Sequence, residues 1–281
     1  MADTEVVLDG LAFPEGPRWR EGRLWFSDMH AHEVVALDPA TGGRETIVAV
    51  PSCPSGLGWL PDGTLLVVSM EDRRVVRVEG GDLVTHADLS PWATFHCNDM
   101  VVDAVGRAYV GNFGFDLHAG APPVPAVLVR VDADGTAQPV AEDLVFPNGT
   151  VITPDGSTLV VGESFAARLT AFDIGSDGSL ANRRVWAQLE GAVPDGICLD
   201  AEGSIWVASP TSNEVLRMRE GGEVTDRVAT DRGAFACMLG GDDRRTLFIC
   251  TSGSSDPVES AQQRSGRIES VRVAVAGAGL P

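Results

Sequence analysis

Four short motifs set an oxygen-bearing side chain at the same point of otherwise similar stretches. FPEG carries Glu15, HCND carries Asn98, FPNG carries Asn148 and VPDG carries Asp195, while CPSG has Ser55 there and ACMLG has Cys237. Two carboxylates and two carboxamides, brought together, form an oxygen-rich set that suits a hard divalent cation such as Ca²⁺ better than the softer zinc ion. Two carboxylates also neutralise one such ion; without it, Glu15 and Asp195 would repel each other and be costly to bury as anions. Taken one at a time, the same residues read as turn chemistry, for which Asn, Asp and Gly are common. The elements that carry them decide between the two.

The six positions recur at intervals of roughly 40–50 residues, about what a four-stranded propeller blade needs. After each comes an apolar strand, a turn such as PDGT, PDGS or AEGS, and a second strand: LWFSD, LLVVS, AYVGN, LVVGE, IWVAS and LFICT. These runs are rich in β-branched and aromatic residues, and third strands such as VVALD and VVRVE alternate apolar with polar. No segment shows a sustained helical period. The fold predicted is all-β, a six-bladed β-propeller of four-stranded antiparallel blades spanning 1–281 as a single domain. The innermost strands of a propeller aim at the central channel, which turns the six positions into a ring. TEVVLD, residues 4–9, and RIESVRVAV, residues 267–275, lie outside complete repeats and are expected to pair in the last blade, closing the ring and removing its free edges.

Bulk properties narrow the function. Lys and Arg total 21 against 40 Asp and Glu, a formal charge of -19, which repels nucleic acid and anionic lipid; neither is expected as a partner, and a small-molecule substrate is. The start, MADTEVVLDG, has no basic and apolar leader, and no apolar run approaches the ~20 residues that span a bilayer. Five Cys without CxxC pairing are a poor disulfide or zinc signature and fit a reducing compartment, so a cytoplasmic location is expected.

FPEGPRW, HCNDMVVDAVGRAYVGN, FPNGTVITPDGSTLVV, VPDGICLDAEGSIWVA and ACMLGGDDRRTLFICT, in this order and over nearly all of the chain, resemble the SMP-30/gluconolactonase/LRE-like family. The resemblance implies one divalent cation at the ring centre, most often Ca²⁺ with Zn²⁺, Mn²⁺ or Mg²⁺ able to serve. It implies Glu15, Asn148 and Asp195 as direct ligands, Asn98 as a fourth ligand or a substrate contact, and Asp195 as general base in the hydrolysis of a lactone. Such a cation polarises a carbonyl, stabilises the oxyanion and acidifies a water, so no organic cofactor is needed.

The chain departs from the family two residues before Asn98, where sugar-lactone members carry an Arg and this sequence has His96. A polyhydroxylated substrate loses an anchor there. His96 reads as a proton carrier, as a hydrogen-bond donor to a bound carbonyl, or as a packed loop residue. Residues 112–126, NFGFDLHAGAPPVPA, form a long Pro-stiffened loop with Phe113, Phe115 and His118, readable equally as a blade-packed surface loop or as a lid over the substrate. As a lid, it makes the pocket more apolar than a sugar site. His96, Asn98, Phe113 and His118 are the expected substrate contacts. His30 and His32 are expected on the surface, on one side of a strand, and Cys237 as an inert thiol walling the channel.

The function expected is a metal-dependent hydrolase opening a lactone or related cyclic ester less polar than a sugar lactone. Hydration, isomerisation or other enolate chemistry at the same site stands as an alternative, as does a non-catalytic Ca²⁺-stabilised binding propeller.

Overall fold

In the computed structural model, which describes residues 4–279, six four-stranded antiparallel sheets follow one another around a ring. The innermost strands are Pro14–Arg20, Pro54–Trp59, Cys97–Val102, Pro147–Ile152, Ile197–Leu199 and Gly233–Gly240, for blades 1 to 6. The blade edges are made by local chemistry. In the first turn of blades 2 to 5, Asp62, Asp103, Asp155 and Asp200 each accept a hydrogen bond from the backbone amide two residues on, at 2.9–3.1 Å. An Asp holding its own turn in this way starts the hairpin without any help from packing.

The core lies between blades. One apolar cluster joins Val34, Val48 and Val50 of blade 1 to Leu57, Trp59 and Val67 of blade 2, and comparable clusters follow between each later pair. The cluster at the seam unites Phe26 of blade 1, Trp206 of blade 5 and Phe248 of blade 6. Trp25 and Trp206 occupy equivalent strand positions, and both pack between sheets, Trp25 edge-on to Trp59 at 5.5 Å.

The seam is closed as the sequence predicts. Glu5–Leu11 pairs antiparallel with Gly266–Arg272 as the outermost strand of blade 6, so that the two ends of the chain share one sheet. Two features were not legible. A short helix, Pro257–Gln263, interrupts blade 6; Asp256 caps it by accepting from the Val258 and Glu259 amides at 3.0 and 2.9 Å, with Pro257 at its first position. Residues Met29–Ala31 form a 3-10 turn instead of extending a strand, so His30 and His32 do not share a face.

Candidate functional site

The ring residues open the innermost strands. Glu15, Asn98 and Asn148 lie within Pro14–Arg20, Cys97–Val102 and Pro147–Ile152, and Asp195 stands two residues ahead of Ile197–Leu199. They are not hairpin turns, and the glycine after Glu15, Asn148 and Asp195 has another cause. A Cβ on Gly149 would meet the Asp195 carbonyl oxygen at 2.6 Å, and one on Gly196 would meet the Ala236 Cβ at 2.5 Å. At these two points neighbouring strands converge too tightly for a side chain. In their place the Gly149 amide donates to the Asp195 carbonyl at 3.2 Å and the Gly196 amide to the Phe235 carbonyl at 2.7 Å.

That repeated bond corrects the sixth position. Phe235 stands to Gly196 as Asp195 stands to Gly149, so the ring is completed by Phe235 and not by Cys237. Cys237 lies two residues further along the strand, buried with its Sγ 3.8 Å from that of Cys198, and burial pushes its thiol well above the ordinary range. It is inert, as expected, but it does not belong to the ring.

Two further devices aim the ring side chains. In blades 1 to 4 the pairing register slips just after the ring residue, a bulge that turns its side chain toward the axis. A second set of buried polar residues, at the end of the second strand, ties down the segment before it. Asp28 accepts from the Phe13 amide at 2.7 Å, Glu163 from the Val145 amide at 2.8 Å, and the Ser209 hydroxyl from the Val193 amide at 3.1 Å. The final polar letter of LWFSD, LVVGE and IWVAS was the signal for this set.

A cavity of about 270 Å³ opens above the ring. Glu15, Asn98, Asn148 and Asp195 all line it, and so do His96, Phe113 and His118, which brings every predicted site residue to one space. The sequence reading missed other walls: Phe13, Phe146, Phe165 and Phe235, Met29 and Met70, and Glu71. His30, expected on the surface, also lines it, its ring 5.1 Å from Phe13; it is carried there by the 3-10 turn. His32 is turned away, its Nδ1 3.7 Å from the Cys53 sulfur. In residues 112–126 Phe115 is packed down at 6% exposure, while Phe113, Leu117 and His118 line the cavity.

The electrostatics are unusual for carboxylates. Burial, then the charge of Asp195, pushes Glu15 well above its ordinary range, and burial pushes Asp195 up to about 8 against lowering hydrogen bonds from Asn148 and the Gly196 amide. Asp99 adds a third negative charge but is held by Arg18 at 2.9 Å, a buried guanidinium that also donates to the Pro17, Leu57 and Met100 carbonyls. Once all three carboxylates are ionised, one guanidinium leaves an excess of two negative charges, the complement of one divalent cation, whose binding would favour that ionised state.

Among the described residues no three His, Cys, Asp or Glu side chains converge to ligate an ion by themselves. A cation here would draw on the two amides as well. Asn98 commits its Nδ2 to the Pro147 carbonyl and Asn148 its Nδ2 to the Ser164 hydroxyl, at 3.5 and 3.2 Å, which leaves their carboxamide oxygens as the available donors. On charge and donor chemistry the residues fit a hard divalent cation. The histidines differ in character: burial lowers His96 and, with the charges of His118 and His32, lowers His30 to about 4. Both rings are neutral near pH 7 and stand as hydrogen-bonding groups, His96 stacked on Phe95 at 4.1 Å. Cys53, also on the cavity, is raised to about 12 by burial and is no nucleophile.

A family model described as SMP-30/Gluconolactonase/LRE-like region matches residues 13–253. The chain is 29% identical over 290 residues to pentonolactonase XacC of Haloferax volcanii, covering 99% of this chain and 96% of that protein. It is likewise 29% identical over 290 residues to a 6-deoxy-6-sulfogluconolactonase of Pseudomonas putida, covering 98% and 96%. Among solved structures it is similar to a calcium-binding protein, regucalcin, from Agrobacterium tumefaciens, with TM-score 0.83, 23% identity and coverage of 100% and 97%.

Proposed function

The chain belongs to the SMP-30/gluconolactonase/LRE-like family, and on that premise we propose that it is a divalent-metal-dependent hydrolase opening a lactone or related cyclic ester less polar than a sugar lactone. The observation that carries the reading is the convergence of two charge-strained carboxylates and two amides on one cavity whose walls include five phenylalanines and two methionines. The two relatives named as lactonases agree with the reaction class, and the relative described as a calcium-binding protein agrees with Ca²⁺.

Glu15, Asn98, Asn148 and Asp195 would hold the cation, which when bound polarises a carbonyl and acidifies a water. Asp195, part of whose surface faces the cavity, takes the proton of the attacking water as general base and passes it to the ring oxygen that leaves. His96 donates a hydrogen bond to the lactone, and the apolar walls keep bulk water from the opening ring. The absent sugar-binding Arg and the phenylalanine lining both disfavour a polyhydroxylated substrate.

A panel of lactones and esters, incubated with and without chelator and read by product mass, tests this. The expected product is the substrate plus one water, formed only in the presence of metal. Products of unchanged mass would point to isomerisation and contradict the hydrolase reading.

A further inference from the structure

The geometry points to a lactone bearing an aryl substituent as the occupant of the cavity, its aromatic ring slotted between two phenylalanine walls; this rests on the lactone reading above. Phe13 and Phe235, from blades 1 and 6, pack with ring centroids 4.7 Å apart at 64°. Blades 3 and 4, opposite them in a six-membered ring, contribute Phe113 and Phe146, whose centroids are 4.4 Å apart at 28°. Phe165 extends that second wall to the rim, 5.2 Å from Phe146 and 50% exposed, an apolar edge left open to solvent at the entrance.

Phe146 holds its position at a backbone cost. Its φ is 60°, the left-handed region that a bulky residue rarely adopts, and such outliers persist where surrounding structure fixes them and gather at ligand clamps. Met29 and Met70 add soft sulfur contacts suited to an aromatic edge.

Size and polarity agree. A cavity of about 150 Å³ takes benzene, so the 270 Å³ here accommodates a phenyl ring with a five- or six-membered lactone beside it. The ring carboxylates and amides lie together, where the ester must be, and the two phenylalanine walls themselves offer a sugar's hydroxyls nothing to pair with, although His30, Glu71, His96 and His118 line the cavity beside them. Quadrupolar edge-to-face contact favours an aromatic ring over an aliphatic one of equal bulk.

The experiment compares γ-phenyl-, γ-cyclohexyl- and unsubstituted γ-butyrolactone and glucono-δ-lactone by kcat/KM with the metal-loaded protein. Alongside it, calorimetry measures binding of the phenyl and cyclohexyl lactones to chelator-treated protein, where nothing is turned over. The expected phenyl-over-cyclohexyl preference is about fivefold in both, and it collapses toward unity in Phe113→Leu and in Phe235→Leu, one variant for each wall. Ring opening with no phenyl preference in rate or binding overturns the aryl occupant and leaves the hydrolase reading standing. Preferential phenyl binding with no lactone opened supports the aromatic slot and overturns the hydrolase reading instead.

Discussion

In the function proposed above Asp195 serves as a ligand and as a base, and these two duties come apart under an isosteric change. Asp195→Asn keeps an oxygen donor on the ring and removes the proton acceptor. The expected outcome is a fall in kcat of about 10²–10⁴-fold, with metal affinity, followed by calorimetry, weakened far less. Equal losses of activity and metal would leave Asp195 a ligand alone. Arg18 tests the charge balance beneath the ring. Replacing it with Met strands Asp99 as a buried anion beside two others, and removing one partner of such a pair costs about 3–5 kcal/mol, measurable by urea denaturation. Neither Arg18 nor Asp99 was picked out from sequence, because a buried pair of residues 81 apart leaves no local pattern.

At the scale of elements, the blades were legible because each restates the same order of strand, tight turn and strand, with an Asp holding the turn in blades 2 to 5. The ring was most legible where Pro and Gly flank the polar residue, as at Glu15, Asn148 and Asp195. It failed at GAFACM, where Ala234 and Ala236 stand on either side of Phe235, so Phe235 was passed over for Cys237. His30 was misplaced because a 3-10 turn of three residues has no period to read, and the helix Pro257–Gln263 escaped for the same reason, with only Asp256-Pro257 to announce it. The polar residues at the ends of the second strands have a further, measurable effect. Burial by itself raises the Glu163 carboxyl, yet hydrogen bonds from Arg168, Thr170 and the Val145 amide outweigh it and hold it below 4.5. A carboxylate depressed in the folded state contributes stability above its unfolded pKa and loses it as pH falls through the folded one. Its Arg168 and Arg183 partners are 28% and 33% exposed, so solvent screening trims the interaction. Glu163→Gln is then expected to cost about 2 kcal/mol at pH 7. The wild-type advantage should shrink as pH drops below 4.5, in paired denaturation curves from pH 7 to pH 3. A deficit that grew on acidification would contradict this assignment.

For the whole molecule, closure and charge matter most. The first strand completes the last blade, and Leu11 at its end is fully buried at the seam while Val6 is 52% exposed. Leu11→Ala is expected to cost about 2–5 kcal/mol, and Val6→Ala to stay within about 0.5 kcal/mol, by thermal or urea unfolding; similar small effects from both would mean that the seam does not carry the ring's stability. No described helix is long and apolar enough to cross a membrane, and the formal charge of -19 favours cations over anions near the surface. The proposed function depends on one cation gripped at the axis by side chains from four blades. Titrating Ca²⁺ into metal-free protein while following lactone opening tests this most directly: activity should be absent at the start and rise to a break at one ion per chain. Full ring opening by protein shown to be free of metal, unaffected by added ion, would contradict the account.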